Sequence, residues 1–160
     1  MRTRSLAAAI SCAIAVLVAG VVGAAPAQAK GVQDATIKGP GLGHTVRVRD
    51  DGLRPLLTSA GLYESVFHEP GSAISPTRPA GRLGPRYTVT YGWMIGPDAT
   101  APIRQLVYPF ARGGAIAYTP PKQHVEGSSE PLDGGWYRGG PRLRTALVAL
   151  GVPRHAKSEA

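Results

Sequence analysis

Arg86-Tyr87-Thr88-Val89-Thr90-Tyr91-Gly92-Trp93-Met94-Ile95 alternates large apolar and small or polar residues along its whole length. Tyr87, Val89, Tyr91, Trp93 and Ile95 share one parity, Arg86, Thr88, Thr90 and Gly92 the other, and only Met94 blurs the pattern. Successive strand side chains point to opposite faces, so this period of two predicts a β-strand with one face buried. Gly96-Pro97-Asp98 then turns the chain into a second strand, Ile103 to Phe110. Arg112-Gly113-Gly114 turns it again into a third, Ala115 to Thr119, which makes a three-stranded antiparallel meander. Pro120-Pro121 ends the meander, the polar residues 122–135 read as a long loop, and Trp136-Tyr137 adds a short edge strand.

Upstream, Ala35 to Lys38 and Thr45 to Arg49 read as a hairpin joined by Gly39-Pro40-Gly41-Leu42-Gly43-His44. Val46 and Val48 face inward and Arg47 and Arg49 face water. Leu53, Leu56, Leu57 and Ala60 then fall at i, i+3, i+4 and i+7, one stripe of a short helix. Asp51 is placed to cap its free amides, Pro55 is tolerable in its first turn, and Gly61 supplies a left-handed stop before a further turn over Tyr63 to His68. Residues 69–85 carry four prolines and three glycines and read as loop. The chain ends in a second helix with Pro141 in its first turn and Leu143, Ala146, Leu147 and Leu150 on one stripe. Gly151 and Pro153 stop it, and residues 154–160 form a tail. The expected fold is a small two-layer α+β domain: an antiparallel sheet, hairpin plus three-stranded meander, with two short helices on one face.

The amino-terminal segment is of another kind. Met1-Arg2-Thr3-Arg4 is basic, Leu6 to Gly23 is apolar, and Ala27-Gln28-Ala29 is a small-residue cleavage triplet, the pattern of a secretory signal peptide over residues 1–29. The apolar run is long enough to suggest an uncleaved anchor instead, but Pro26 and the A-x-A triplet favour cleavage before Lys30. Cys12, the only cysteine, lies inside the apolar run, where it does not suit lipidation, and would leave with the leader. The remaining single domain, residues 30–160, then has no thiol, which excludes disulfides, thiolate metal sites and a cysteine nucleophile. Its stability must come from a packed core, which a chain of this length can build. Loss of Arg2 and Arg4 takes the formal balance from +8 to +6. The arginines are dispersed and, with the abundant Ala, Gly and Pro, suit a GC-rich coding bias as well as an anion-binding surface.

No stretch dictates a chemistry. Gly39-x-Gly41-x-Gly43 leads into a strand and not into the helix a phosphate loop requires. His44, His68, His124 and His155 lack metal-ligand spacing, Asp50-Asp51 reads as a helix cap, and no metal or cofactor is expected. The serines stand in no G-x-S-x-G turn. Glu126, Glu130 and Asp133 precede Trp136-Tyr137, where a sugar ring can stack, but carboxylates in a polar loop are usually just solvated. No catalytic residue is assigned. Contact with a ligand falls to Trp136, Tyr137 and Arg138, flanked by the glycine pairs Gly134-Gly135 and Gly139-Gly140, and to Arg47 and Arg49 on the solvent face of their strand. For the segment around Trp136-Tyr137 a packing role, locking the last helix onto the sheet, is the preferred reading, and ligand contact the alternative.

Leu83-Gly84-Pro85-Arg86-Tyr87-Thr88-Val89-Thr90-Tyr91, Leu106-Val107-Tyr108-Pro109-Phe110-Ala111, Tyr118-Thr119-Pro120-Pro121 and Gly135-Trp136-Tyr137 together resemble a group of small uncharacterised secreted proteins of actinobacteria. That resemblance implies an exported bacterial protein and carries no assigned activity. The expected function is therefore a secreted, non-catalytic binding or interaction domain of the cell exterior. Its partner is an anionic cell-wall polymer or another extracellular protein, with no specific nucleic acid and no membrane span after cleavage. The alternatives are a small extracellular hydrolase using loop carboxylates and histidine, or a protease inhibitor presenting the proline-rich loop at 69–85.

Overall fold

The computed structural model describes residues 31–67, 73–125 and 131–156. The expected leader at residues 1–29, the expected cleavage point before Lys30, and the residues His68, Glu69, Glu126 and Glu130 lie outside them. The elements in chain order are β1 (Val32–Lys38), β2 (Val46–Val48), α1 (Leu53–Ser59), α2 (Leu62–Phe67), β3 (Tyr87–Met94), β4 (Thr100–Tyr108), β5 (Ile116–Thr119), β6 (Gly135–Arg138) and α3 (Gly140–Ala149). The strands form one antiparallel sheet in the order β2-β1-β3-β4-β5-β6. The expected hairpin and meander are thus a single sheet, joined where Ala35 pairs with Tyr91 and Ile37 with Val89, with β6 as the edge strand. The small α+β architecture is as its periodicities require.

Alternation sets the two faces. Ile37, Tyr87, Val89, Tyr91, Trp93, Ile103, Val107 and Ala117 are all buried on one face. Leu53, Leu56, Leu57 and Ala60 of the first helical stripe and Leu143 and Leu147 of the last cover them. Each Leu, Ile and Val side chain among them contributes about 1.5–3 kcal/mol of hydrophobic stabilisation. The other face carries Arg47, Thr88, Thr90, Arg104, Tyr108, Tyr118 and Trp136, none of them buried.

One polar residue sits in the middle of the core. Gln105 is fully buried, its Oε1 accepting from the Tyr91 hydroxyl at 2.9 Å. Its Nε2 donates to the Ala60 carbonyl at 3.2 Å and to the Thr119 hydroxyl at 2.9 Å. Thr119 donates in turn to Ser65 at 3.0 Å, and Ser65 to the Gly61 carbonyl at 2.9 Å. This chain pins the end of α1 and the start of α2 to β4 and β5. Burial, with no nearby charge, pushes the Tyr91 phenol far above its ordinary value of 10.0.

Two expectations change in the structure. Asp51 makes no capping hydrogen bond. A 3₁₀ turn at Asp50–Gly52 leads into α1, and the backbone carbonyls of Arg49 and Asp50 accept from the Gly52 and Leu53 amides that the side chain was expected to serve. The second meander strand begins at Thr100, before Ile103, and holds Pro102. Pro102 opposes Gly92 and Arg104 opposes Thr90, so both direct their backbone polar groups away from β3. On that side β5 pairs only from Leu106 onward, so Pro102 lacks an N–H where no neighbouring strand needs one. Arg104 finds a substitute strand in the Gln123 carboxamide, which accepts from its N–H at 2.7 Å and donates to its C=O at 2.9 Å.

Candidate functional site

Arginines from two sequence-distant places, the loop before β3 and the turn after β4, converge at the β4–β5 end of the sheet. The loop after residue 73 is tied down twice. Ser75 exchanges backbone hydrogen bonds with Trp136 on the outer side of β6, at 2.8 and 2.7 Å. Further on, the Arg112 amide donates to the Arg82 carbonyl at 3.0 Å. Between these ties Gly84, at φ +75, bends the chain across Phe110, a conformation that residues with a β-carbon adopt only with strain. The loop is thereby drawn along the sheet, and its arginines meet the turn that follows β4.

The result is an open cleft of about 1270 Å³ lined by Arg78, Arg82, Arg86, Arg112, Tyr108 and Phe110, with Pro40 and Ala156 at its margins. All four guanidinium groups are exposed. No ion pair neutralises them among the described residues, and none of the lining residues is acidic. Between Arg78 and Arg112 the chain carries one acid, Asp98, which stands past the far end of β3 from Arg86, roughly 26 Å away along the strand. At the Phe110 corner Arg144 of α3 lies 5.5 Å over the ring and also donates to the Arg154 carbonyl at 2.8 Å, fastening helix and tail to this wall. Arginine presents a planar fork of donors that fits phosphate or carboxylate oxygens in pairs, and it stays charged at every physiological pH. Such a cleft can bind an anionic chain. Among its lining residues are no His, Ser, Cys, Asp or Glu.

The residues singled out in the sequence are distributed differently. Trp136 and Arg138 lie on the open face of β6, where Trp136 is half-buried with its ring 4.4 Å from Tyr118 and 6.1 Å from Tyr108. Tyr137, between them, points to the helix side and lines a separate groove between α1 and α3. Strand alternation therefore divides the aromatic pair between two surfaces. Arg47 and Arg49 are exposed, but neither lines the arginine cleft. His44, His124, His155 and Asp133 are exposed as well, and among the described residues no three His, Cys, Asp or Glu side chains cluster as metal ligands do. No helix among them is long and apolar enough to cross a membrane.

The cleft arginines had a sequence signal of their own. Between Glu69 and Glu126 Asp98 is the only acid, against Arg78, Arg82, Arg86, Arg104, Arg112 and Lys122. That local depletion of negative charge marks the region more clearly than the overall balance of the chain. Comparison of the chain with protein-family models, with curated proteins and with solved structures finds no match.

Proposed function

We propose that this chain is a secreted, non-catalytic binding domain whose arginine cleft holds anionic polymer of the bacterial exterior. The observation that carries the reading is the convergence of Arg78, Arg82, Arg86 and Arg112 on one open cleft with no carboxylate among its lining residues. The basic start, apolar run and A-x-A triplet of residues 1–29 support export, as does the resemblance to small secreted actinobacterial proteins. An open cleft with aromatic residues beside its cations suits a repeating chain, since successive anionic groups can occupy successive guanidiniums while sugar or polyol faces rest on Tyr108 and Phe110. The loop that a protease inhibitor would project is here held to β6 and to the turn after β4, which favours its use as a wall of the cleft.

The test uses protein recovered from culture medium, expected to begin at Lys30, and purified cell wall as the ligand. Retention should fall steeply with salt, because attraction between exposed charges is screened beyond about 8 Å at physiological ionic strength. Arg82→Glu with Arg112→Glu should abolish retention, and Arg47→Glu with Arg49→Glu should weaken it only slightly. Salt-insensitive retention, or retention unchanged in the Arg82/Arg112 variant, would refute the assignment of the cleft.

A further inference from the structure

On the helix side of the sheet, away from Tyr108 and the arginine cleft, α1 and α3 leave a groove of about 730 Å³ between them. That is within the range of about 300–1,000 Å³ in which small organic ligands are held. Arg54 of α1, Glu64 of α2 and Arg142 of α3 border it, and Tyr137 of β6 lies in it. Between the charged positions the lining is short and neutral, methyl groups and hydroxyls such as Ala146 and Thr145.

Three charged side chains of both signs share this groove, yet among the described residues no ion pair joins Glu64 to either guanidinium. Side chains free to reach each other on a surface gain little by pairing. Held apart across a concavity, they leave a positive and a negative end open to a guest. Both ends act on Tyr137: burial raises its phenol first, the Glu64 carboxylate raises it further, and the Arg142 guanidinium opposes them. The phenol therefore stays protonated, with an O–H to donate. Tyr137 itself is held by close packing, because Gly61 at φ +61 lies so near its ring that any β-carbon there would overlap it. A ring fixed in this way offers a preformed surface instead of one that must order on binding.

We propose that this groove is a second binding site, for a small zwitterion with an aliphatic body, such as an amino acid or short peptide carrying a free ammonium and a free carboxylate. Glu64 receives the ammonium, Arg54 and Arg142 receive the carboxylate, and the Tyr137 hydroxyl donates to the guest's carbonyl or carboxylate oxygen. The proposal is independent of the arginine cleft, whose ligand is wholly anionic.

The experiment is an NMR titration of the amide-labelled protein with the dipeptide alanyl-leucine, its N-acetyl form and its carboxy-terminal amide. The dipeptide should give saturable shifts at the amides of Thr58, Gly139 and Thr145. Either blocked form should bind about tenfold more weakly, as expected for loss of one charge-assisted hydrogen bond. Glu64→Gln should abolish the preference for the free amine while keeping the preference for the free acid, and Arg142→Gln should do the reverse. Arg82→Glu with Arg112→Glu, which disables the cleft, should change none of these. Spectra of each variant taken without ligand verify that its fold is intact. Absence of saturable shifts, equal binding of all three peptides, or a Glu64→Gln variant that still prefers the free amine would overturn the proposal.

Discussion

Gln105→Leu is the substitution whose outcome depends most directly on the core as described. The two side chains have similar volume, so no large cavity opens, and the change is confined to hydrogen bonding. Three bonds vanish: from the Tyr91 hydroxyl to Oε1, and from Nε2 to the Ala60 carbonyl and the Thr119 hydroxyl. Thr119 keeps its bond to Ser65. The Tyr91 hydroxyl and the Ala60 carbonyl are left inside the core, each at a cost of about 1–3 kcal/mol. Replacing a buried amide by an apolar group returns about 1–2 kcal/mol of that. The expected net loss is about 2–3 kcal/mol, a large part of the roughly 5–15 kcal/mol typical of a domain. Urea titration followed by fluorescence of Trp93 and Trp136 should show a lower midpoint with an unchanged slope. Adding Tyr91→Phe removes one of the stranded groups, so the double variant should be more stable than the sum of the two single losses allows, by about 1 kcal/mol. If Gln105→Leu unfolds at the parental midpoint, or the two losses simply add, the network does not hold the helices to the sheet as argued.

Leu147→Asp should prevent stable folding, since Leu147 is fully buried and an unpaired carboxylate there costs several kcal/mol. Arg144→Ala should cost no more than about 1 kcal/mol, because it removes only an exposed contact with Phe110 and one bond to Arg154; thermal melts of the pair compare them directly. The tyrosines predict alkaline sensitivity. Burial raises Tyr91, Tyr87 and Tyr137 above 10.0 in the folded state, so the unfolded chain loses these protons first. The stability they contribute is complete below pH 10 and is lost as pH rises beyond it, at up to about 1.4 kcal/mol per pH unit for Tyr91 alone. Tyr91→Phe should flatten that decline in urea titrations at successive pH values.

What was legible in the sequence was whatever repeats with a period. Tyr87 to Trp93 shows its buried parity without any knowledge of partners, and Leu53 to Ala60 and Leu143 to Leu150 show their stripes the same way. Capping and strand ends were less legible because they depend on what lies alongside. Asp51 is a good cap by residue type, but the carbonyls of Arg49 and Asp50 reached the same amides first. Pro102 argues against a strand until β5 is seen to be too short to reach it, and Gln123 is a polar loop residue until its carboxamide is seen standing in for a missing strand beside Arg104.

The candidate site was hidden for a related reason. Arg78, Arg82 and Arg86 lie in a proline- and glycine-rich stretch with no helical or strand period, so nothing local says which way they face. Their neighbour Arg112 comes from a different turn, and one backbone bond, Arg112 to Arg82, helps bring the two together. Counted along the chain, the twelve dispersed arginines of residues 30–160 look like composition. In the fold, four of them line one cleft with no acid among its lining residues. The tripeptide Trp136-Tyr137-Arg138 shows the converse. Adjacent in sequence, it reads as one contact surface, whereas in β6 its members must alternate, so Tyr137 lines the groove between α1 and α3 and Trp136 packs against Tyr118 on the other face. Substitutions at Trp136 and Tyr137 should therefore have separable effects, and a ligand that senses one need not sense the other.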